Sequence, residues 1–212
     1  MDKQLTLRAG FSLIEMMASI VILGIISVAT ISTLRVSQQK DELNNAVRIV
    51  AGDLRSLQSR ALSTDNVKSC VSGGKQIVCE TNASACGASP CVPIPPAGFG
   101  MAVVAGTSAY DLFAEVEPTT LDWKKTNANE VFLTRDFAKS GGTNVVISSL
   151  TGGYPSTNVS FQRQNGSMVI DGCDVSAGCA VTTTMNIVLR HTALGDTKTI
   201  QLNAYTGRIS VQ

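Results

Sequence analysis

The sequence has few of the residues that enzymes use for catalysis. It contains one histidine, His191, and no G-x-S-x-G or P-loop motif, so neither an activated nucleophile nor a phosphate-binding loop is apparent. Its 17 Lys and Arg residues nearly balance 16 Asp and Glu residues. The net charge therefore does not indicate electrostatic binding to nucleic acid or to a membrane surface. We therefore expect no enzyme activity, no catalytic residues and no cofactor.

Three further absences shape the expected structure. No charged side chain occurs from residue 16 to residue 34. Proline is missing from Phe11 to Ser89, so the kink that proline introduces into a helix is not expected there. Aromatic residues make up only 5% of the chain, whereas Gly, Ser, Thr and Asn are plentiful, which is typical of a β domain with many exposed turns.

The uncharged run of residues 16–34 is nineteen residues long. As a helix it spans about 28 Å, close to the roughly 30 Å hydrocarbon core of a bilayer. An ordinary secretory signal has a shorter apolar region, of about 7–15 residues, followed by a small-residue cleavage site that this chain lacks. A plain single-pass anchor, with Lys3 and Arg8 on the cytoplasmic side, is the other ordinary interpretation.

Glu15 stands at the start of this apolar run. A carboxylate carried into a bilayer costs about 2.5–3.5 kcal/mol on insertion scales, so a neutralising partner is expected. If the chain were cut between Gly10 and Phe11, the new α-ammonium group of Phe11 would lie one helical turn from Glu15. The same group could also meet Glu15 of a neighbouring subunit. A plain anchor leaves this glutamate unexplained.

The segment from Gly10 to Glu15, GFSLIE, with the long apolar run after it, resembles the class III leader of type IV pilins and type II secretion pseudopilins. The resemblance implies that a prepilin peptidase cleaves after Gly10 and methylates the new N-terminal Phe11. It also implies that Glu15 guides docking into a growing filament of other pilin or pseudopilin subunits. Gly24 falls where members of the family commonly carry glycine.

Beyond the apolar run, apolar residues recur at steps of three, four or seven, which predicts one face of an amphipathic helix. They are Val36, Leu43, Val47, Val50, Leu54, Leu57 and Ala61. One helix is therefore predicted from Phe11 to about Leu62, with a sheet as the partner of its apolar face. We accordingly divide the chain into a leader (1–10), a transmembrane half-helix (11–34), an amphipathic half-helix (35–62) and a β-rich head (63–212).

Six cysteines lie beyond residue 69, and an even number in a membrane-directed chain favours disulfides in an oxidising compartment. Their local spacings favour the pairs Cys70–Cys79, Cys86–Cys91 and Cys173–Cys179. Six cysteines nevertheless allow fifteen pairings, so the sequence leaves the connectivity open. The gaps do not match the tight pairs of a zinc site, and no metal is expected.

The segment of residues 63–98, which holds four of these cysteines, is rich in Ser, Gly, Asn and Pro and predicts an irregular connection. Short β-rich runs follow it, at 99–104, 109–117, 130–135 and 144–150. Asn165-Gly166 predicts a hairpin, a second hairpin turns at Gly195-Asp196, and a last strand follows Thr206-Gly207. The predicted fold class is α+β and pilin-like, a long helix packed on antiparallel sheet.

The order of the later strands and the C-terminal NAYTGRISVQ resemble minor pilins and pseudopilins of the GspH, FimT and FimU type. Some FimT-like members bind DNA through a Gly-Arg-x-Arg element near this end. Gly207 and Arg208 match its first two positions, but Ser210 stands at the fourth. Arg208 is therefore the nucleic-acid contact that the resemblance offers, and the serine argues against it.

Two further sets of polar residues are candidate sites. Asp171 and Asp174 lie in a loop that could bind Ca²⁺, but no D-x-D-x-D-G pattern supports this. By alternation, His191 shares a face with Met185 and Leu189 at the end of one strand run. A structural histidine at a sheet edge is the interpretation that this pattern favours.

Together these features predict a structural subunit, a minor pilin of a type IV pilus. The expected location is the bacterial inner membrane, with the head in the periplasm and later in a filament at the cell surface. Two alternatives stay open. One is a type II secretion pseudopilin, and the other is a pilus-tip module that binds DNA for uptake or mediates adhesion.

Overall fold

The computed structural model of the protein describes residues 12–116, 125, 128–151, 155–170 and 184–212. The chain divides into two compact units, Met1–Gln39 and Lys40–Gln212. Helix α1 runs from Leu13 to Leu62 and contributes residues to both units. The predicted long N-terminal helix is therefore confirmed over its described length.

In the first unit, the described residues after Ser12 are all helical, and this part of α1 is long and apolar enough to cross a membrane. The hydroxyl groups of Ser19, Ser27 and Thr30 each donate to the carbonyl four residues earlier, at 2.7, 2.7 and 2.8 Å. These bonds satisfy the hydroxyls within the helix itself, as a hydrocarbon surrounding requires.

In the second unit, α1 buries one face against the sheets. The buried positions predicted from the sequence are Leu43, Val47, Val50, Leu54, Leu57 and Ala61. Ala46 and Ala51 widen this face, and their small side chains let the helix approach the sheets closely. Val36, which belongs to the first unit, is 42% exposed and does not continue the buried face.

Twelve strands and one short helix follow α1 in the described residues. The strands are β1 (Val67–Ser72), β2 (Lys75–Val78), β3 (Val92–Ile94), β4 (Gly98–Val104), β5 (Ala109–Glu115), β6 (Val131–Asp136), β7 (Val145–Leu150), β8 (Ser156–Gln162), β9 (Met168–Ile170), β10 (Thr184–His191), β11 (Thr197–Asn203) and β12 (Arg208–Val211). Helix α2 spans Cys79–Asn82, and single 3-10 turns span Ala83–Cys86, Ala128–Glu130 and Ala138–Ser140.

The strands form three antiparallel sheets. A small sheet has the order β2-β1-β3, a four-stranded sheet has the order β12-β11-β10-β7, and a five-stranded sheet has the order β6-β5-β4-β8-β9. Side chains from the two larger sheets and from α1 share one hydrophobic core. The α+β, pilin-like fold class predicted from the sequence is thus confirmed.

Strand β10 shows how alternation sets the two faces of the four-stranded sheet. Met185, Ile187 and Leu189 are buried, and Ile200 of β11 stands directly opposite Ile187. The residues between them face outward because successive side chains of a strand point to opposite sides. The β10–β11 hairpin is confirmed, and its turn contains Gly195 with φ of 77°, a left-handed conformation that glycine adopts without strain.

The predicted β8–β9 hairpin is also confirmed, with residues 163–167 as its loop. Gln164 and Gly166 both have positive φ, at 75° and 63°. Gly166 is needed for a second reason, because a Cβ there would lie 2.9 Å from the side chain of Leu62. The loop therefore packs tightly against the end of α1.

The prediction of an irregular connection over residues 63–98 is wrong, because this segment contains β1, β2, β3 and α2. Val67 and Val78 are buried and attach the small sheet to the main core. Pro93 lies in β3, an edge strand where a missing N–H group does not interrupt the sheet. Strands this short carry too few alternating positions for the sequence pattern to reveal them.

Candidate functional site

Glu15 lies in the first turn of α1, and its side chain is exposed. The N–H groups of Glu15 and Met16 both donate to the carbonyl of Ser12, at 3.0 and 3.2 Å, where the helix begins. The positive end of the helix dipole favours a carboxylate at this position. Gly10 and Phe11 lie outside the described residues, so cleavage and methylation there stay predictions.

Residues 12–39, which we name the assembly segment, include many exposed apolar side chains between Leu13 and Val36. Exposure is 69% for Ile20, 66% for Ile25 and 72% for Val28. An apolar surface of this extent is strongly unfavourable in water. The assembly segment therefore needs lipid or other apolar helices around it.

Gly24 lies inside the assembly segment, where no atom of a distant described residue stands within 4 Å of the place of a Cβ. Glycine inside a helix costs about 1 kcal/mol relative to alanine. Packing within the described chain does not require glycine here. A glycine at such a position permits a neighbouring helix to approach closely.

In the second unit, Asp53 of α1 joins the helix to two strands of the five-stranded sheet. The hydroxyl of Tyr110 donates to Asp53 Oδ2 at 2.8 Å, and Nε of Arg135 donates to the same oxygen at 3.1 Å. Burial raises the pKa of the Tyr110 phenol, and the Asp53 carboxylate raises it further. The phenol therefore stays a neutral donor, and the cluster holds the helix on the sheet.

Arg60 makes a second link between α1 and the five-stranded sheet. Its guanidinium carbon lies 4.6 Å from the ring centroid of Phe99 and 4.7 Å from that of Phe132. Its Nε also donates to Asp65 Oδ2 at 3.1 Å. Sequence reasoning missed this cluster, because its members come from α1, β4 and β6 and share no local pattern.

His191 is fully buried at the end of β10, which agrees with the predicted structural role. The predicted position at a sheet edge is wrong, because β10 lies between β11 and β7 in the four-stranded sheet. Its Nδ1 accepts a hydrogen bond from the N–H group of Leu194 at 3.2 Å. This contact places the proton on Nε2, which lies 3.4 Å from Glu42 Oε2 of α1. The histidine thus closes the β10–β11 turn and links it to the helix.

Four of the six cysteines form two disulfides, Cys70–Cys86 and Cys79–Cys91. The predicted local pairs Cys70–Cys79 and Cys86–Cys91 are therefore wrong. In the β1–β2 hairpin Cys70 stands opposite Ile77, whereas Cys79 has already left the strand and entered α2. Cysteines that are neighbours in the sequence are therefore not the ones whose sulfur atoms are bonded. Cys173 and Cys179 lie outside the described residues.

The sulfur atoms of Cys70, Cys79 and Cys86 all lie within 4.8 Å of one another. Three thiolates at such distances could hold a metal ion. Here each of the three sulfurs is part of a disulfide, and a disulfide sulfur is not the thiolate that binds metals. In this state the cluster is a pair of cross-links.

Arg208 is exposed at the start of β12, on the outward face of the four-stranded sheet. Asn203 of β11 stands directly opposite it, and Ser210 follows on the same face. The outward positions of β10, β11 and β12 carry Arg190 and Arg208 and no carboxylate. Asp171 and Asp174, for which no calcium-binding pattern was found, lie outside the described residues.

Comparison with known families places a match at the N-terminus. Residues 6–31 match the family described as the prokaryotic N-terminal methylation motif. No curated protein and no solved structure matches the chain. The motif indicates a precursor like those of type IV pilins and pseudopilins, and it implies processing by a prepilin peptidase and assembly with other pilins. The motif and the pilin-like fold together favour a structural protein over an enzyme.

Proposed function

We propose that this chain is a minor pilin of a type IV pilus. In this role the prepilin peptidase removes residues 1–10 and methylates Phe11, and the mature subunit enters the filament through its helix. One observation carries the proposal. The methylation motif matched over residues 6–31 overlaps the start of an exposed apolar helix, and Glu15 lies in the first turn of that helix.

The proposed topology follows from charge and cysteine chemistry. Lys3 and Arg8 precede the apolar run and favour the cytoplasmic side for the leader. Residues 11–34 span the inner membrane, residues 35–62 follow outside it as the amphipathic half-helix, and residues 63–212 form the head in the periplasm. The two disulfides of the head support an oxidising compartment.

Glu15 has a defined part in this proposal. After cleavage, the α-ammonium group of Phe11 on an incoming subunit pairs with Glu15 of a subunit already in the filament. The pair neutralises a carboxylate that would otherwise cost about 2.5–3.5 kcal/mol in the bilayer interior. Removal of the charge should therefore affect assembly and leave cleavage unchanged.

The test is the substitution Glu15→Val, with Glu15→Asp as the matched control that keeps the charge. We expect Glu15→Val to be cleaved normally but to fall at least tenfold in filaments sheared from the cells, a change that corresponds to about 1.4 kcal/mol. Glu15→Asp should retain most of the incorporation. Immunoblots of the membrane and sheared-filament fractions measure both quantities.

Equal amounts of Glu15→Val and the natural protein in the sheared fraction would remove the charge-pair account. If cells lacking the protein keep their surface filaments but fail to secrete folded exoproteins, the chain is a type II secretion pseudopilin. The N-terminal chemistry is the same in both systems, so this phenotype decides between them.

A binding role for the head is the second candidate function, and the carboxylate-free outward face of β10, β11 and β12 favours it. Its hydroxyl and amide side chains, with Arg190 and Arg208 at opposite ends, offer donors to the phosphates of DNA taken up by a pilus tip. Ser210 in place of a second arginine weakens this candidate relative to the structural role.

A gel shift with the full-length protein in detergent tests this second candidate at low and moderate salt. If the face binds DNA, Arg208→Ala should weaken the shift at both salt concentrations and lower its salt dependence. Lys68→Ala, an exposed cation on the small sheet, is the matched control and should change nothing. Absence of any shift by the natural protein at low salt would remove the candidate.

A further inference from the structure

The two disulfides of the head lie in direct contact with each other. Sγ of Cys79, which is bonded to Cys91, stands 3.6 Å from Sγ of Cys86, which is bonded to Cys70. This is the ordinary contact distance of two sulfur atoms that are not bonded. We name the four residues the sulfur cluster.

The members of the sulfur cluster differ in their exposure. Cys70 and Cys86 are 2% and 4% exposed, and Cys79 is 8% exposed. Cys91, in contrast, is exposed, just before the edge strand β3. A thiol in solution can therefore contact the sulfur cluster at Cys91, whereas the Cys70–Cys86 disulfide is buried.

We propose that the sulfur cluster is a thiol–disulfide exchange relay, in which a thiol or dithiol reductant enters at Cys91 and the exchange passes through Cys79 to the buried Cys70–Cys86 disulfide. The proposal concerns the head and does not depend on the filament to which the subunit belongs. Its basis is the contact between Cys79 and Cys86 and the difference in exposure along the cluster.

The first step is attack of an external thiolate on Sγ of Cys91. The new bond joins the reductant sulfur to Cys91, the Cys79–Cys91 bond breaks, and its electron pair leaves with Cys79 as a thiolate. Freed from Cys91, the Cys79 side chain can rotate until its sulfur is in line with the Cys86–Cys70 bond. No atom has to cross more than the 3.6 Å that separates the two sulfurs.

The second step is attack of the Cys79 thiolate on Sγ of Cys86. A Cys79–Cys86 disulfide forms, the Cys70–Cys86 bond breaks, and Cys70 leaves as a thiolate. The number of disulfides is unchanged in each step, so the relay isomerises the cluster and consumes one reductant molecule as a mixed disulfide.

Two variants of the full-length protein test the relay, because each removes the Cys79–Cys91 disulfide but leaves a different free thiol. Cys91→Ser leaves Cys79 beside Cys86, whereas Cys79→Ser leaves the exposed Cys91. Cys79 Sγ stands 3.6 Å from Cys86 Sγ, whereas Cys91 Sγ is not part of the group of three sulfurs that lie within 4.8 Å of one another. We therefore expect the free Cys91 not to attack the Cys70–Cys86 disulfide. Both variants lose the same cross-link, so we expect the same loss of stability in each.

Both variants are purified in detergent without reductant, alkylated at once, and mapped by mass spectrometry of their disulfide-linked peptides. We expect Cys91→Ser to lose part of its Cys70–Cys86 linkage and to show a Cys79–Cys86 linkage with alkylated Cys70. Cys79→Ser should keep Cys70–Cys86 intact and show alkylated Cys91. Cys173 and Cys179 are followed in the same peptide maps.

An intact Cys70–Cys86 linkage with fully alkylated Cys79 in Cys91→Ser would overturn the relay. The natural protein, treated with limiting glutathione, provides a measurement that does not depend on how the variants fold. We expect mixed disulfide at Cys91 to appear before any free Cys70. Release of Cys70 while Cys79–Cys91 is still intact would also overturn the proposal.

Discussion

Gly100 in β4 lies against the ring of Phe113, which is fully buried. A Cβ at this position would stand 2.3 Å from Cζ of Phe113 and 2.7 Å from Oγ of Ser160. Because the added methyl group would have to displace a fully buried ring, we expect Gly100→Ala to lower the free energy of unfolding by about 1–3 kcal/mol. Thermal unfolding of the full-length protein in detergent, followed by circular dichroism, measures the change.

Gly52→Ala is the matched control for this substitution. Gly52 is exposed on α1, and nothing stands within 4 Å of the place of its Cβ. Alanine is the better helix former, so this change should stabilise the protein by up to about 1 kcal/mol. A Gly100→Ala protein as stable as the natural one would contradict the close packing described for β4 and β5.

At the scale of single residues, sequence reasoning succeeded where chemistry has a local pattern. Glu15 was identified from its place at the start of an apolar run, and the structure puts it in the first turn of α1. The disulfide partners were not predictable, because they depend on where α2 and the turn of Ala83–Cys86 place each sulfur. The Arg60 cluster was missed for the same reason, since its rings come from distant strands.

At the scale of elements, the cluster of Asp53, Tyr110 and Arg135 connects α1 to β5 and β6. In the folded protein, burial and the Asp53 carboxylate raise the pKa of Tyr110 above its ordinary 10.0. In the unfolded chain the pKa keeps its ordinary value. The unfolded chain therefore loses this proton first as the pH rises. Stability from this group is complete below about pH 10 and is lost as the pH rises above that value.

We accordingly predict two effects of Tyr110→Phe. At neutral pH the loss of a hydrogen bond to a charged group should destabilise the protein by about 1.5–3 kcal/mol. Above about pH 10 the difference from the natural protein should shrink, because the variant lacks the phenol that titrates. Urea unfolding at a series of pH values measures both effects.

Tyr205→Phe is the control for the pH series, because Tyr205 is 70% exposed and no hydrogen bond of its hydroxyl is found among the described residues. It should unfold like the natural protein at every pH. The difference in free energy of unfolding between Tyr110→Phe and the natural protein should not be constant. If it stays the same from neutral to alkaline pH, Tyr110 is not the group whose titration destabilises the protein at alkaline pH.

Long periodic patterns and clear turn signals predict elements well. The helix to Leu62 and the longer strands from β4 onward follow stripes or alternations over several residues, and the short strands β9 and β12 each follow a turn that contains glycine. The small sheet of β1, β2 and β3 shows no such pattern, because its strands have only three to six residues and a Gly73-Gly74 turn separates the first two. Tertiary packing of single residues such as Val67 decides such elements.

At the scale of the whole molecule, the sequence carries two kinds of information about function. The N-terminal segment specifies how the chain is processed and assembled, and its pattern was readable because membrane insertion and peptidase recognition both act on local sequence. In the proposed filament subunit, the head determines what the subunit contributes. That contribution depends on surfaces assembled from distant strands, such as the outward face of β10, β11 and β12, and no local pattern records it.

We propose above all that the chain is a prepilin, which is cleaved after Gly10 and then methylated on the new N-terminal amine of Phe11. Mass spectrometry of the N-terminal peptide of the protein isolated from membranes tests it most directly. We predict a mature N-terminus at Phe11 that carries one added methyl group on its α-nitrogen. A protein that retains Met1 and the leader, or that begins at any residue other than Phe11, would contradict the claim.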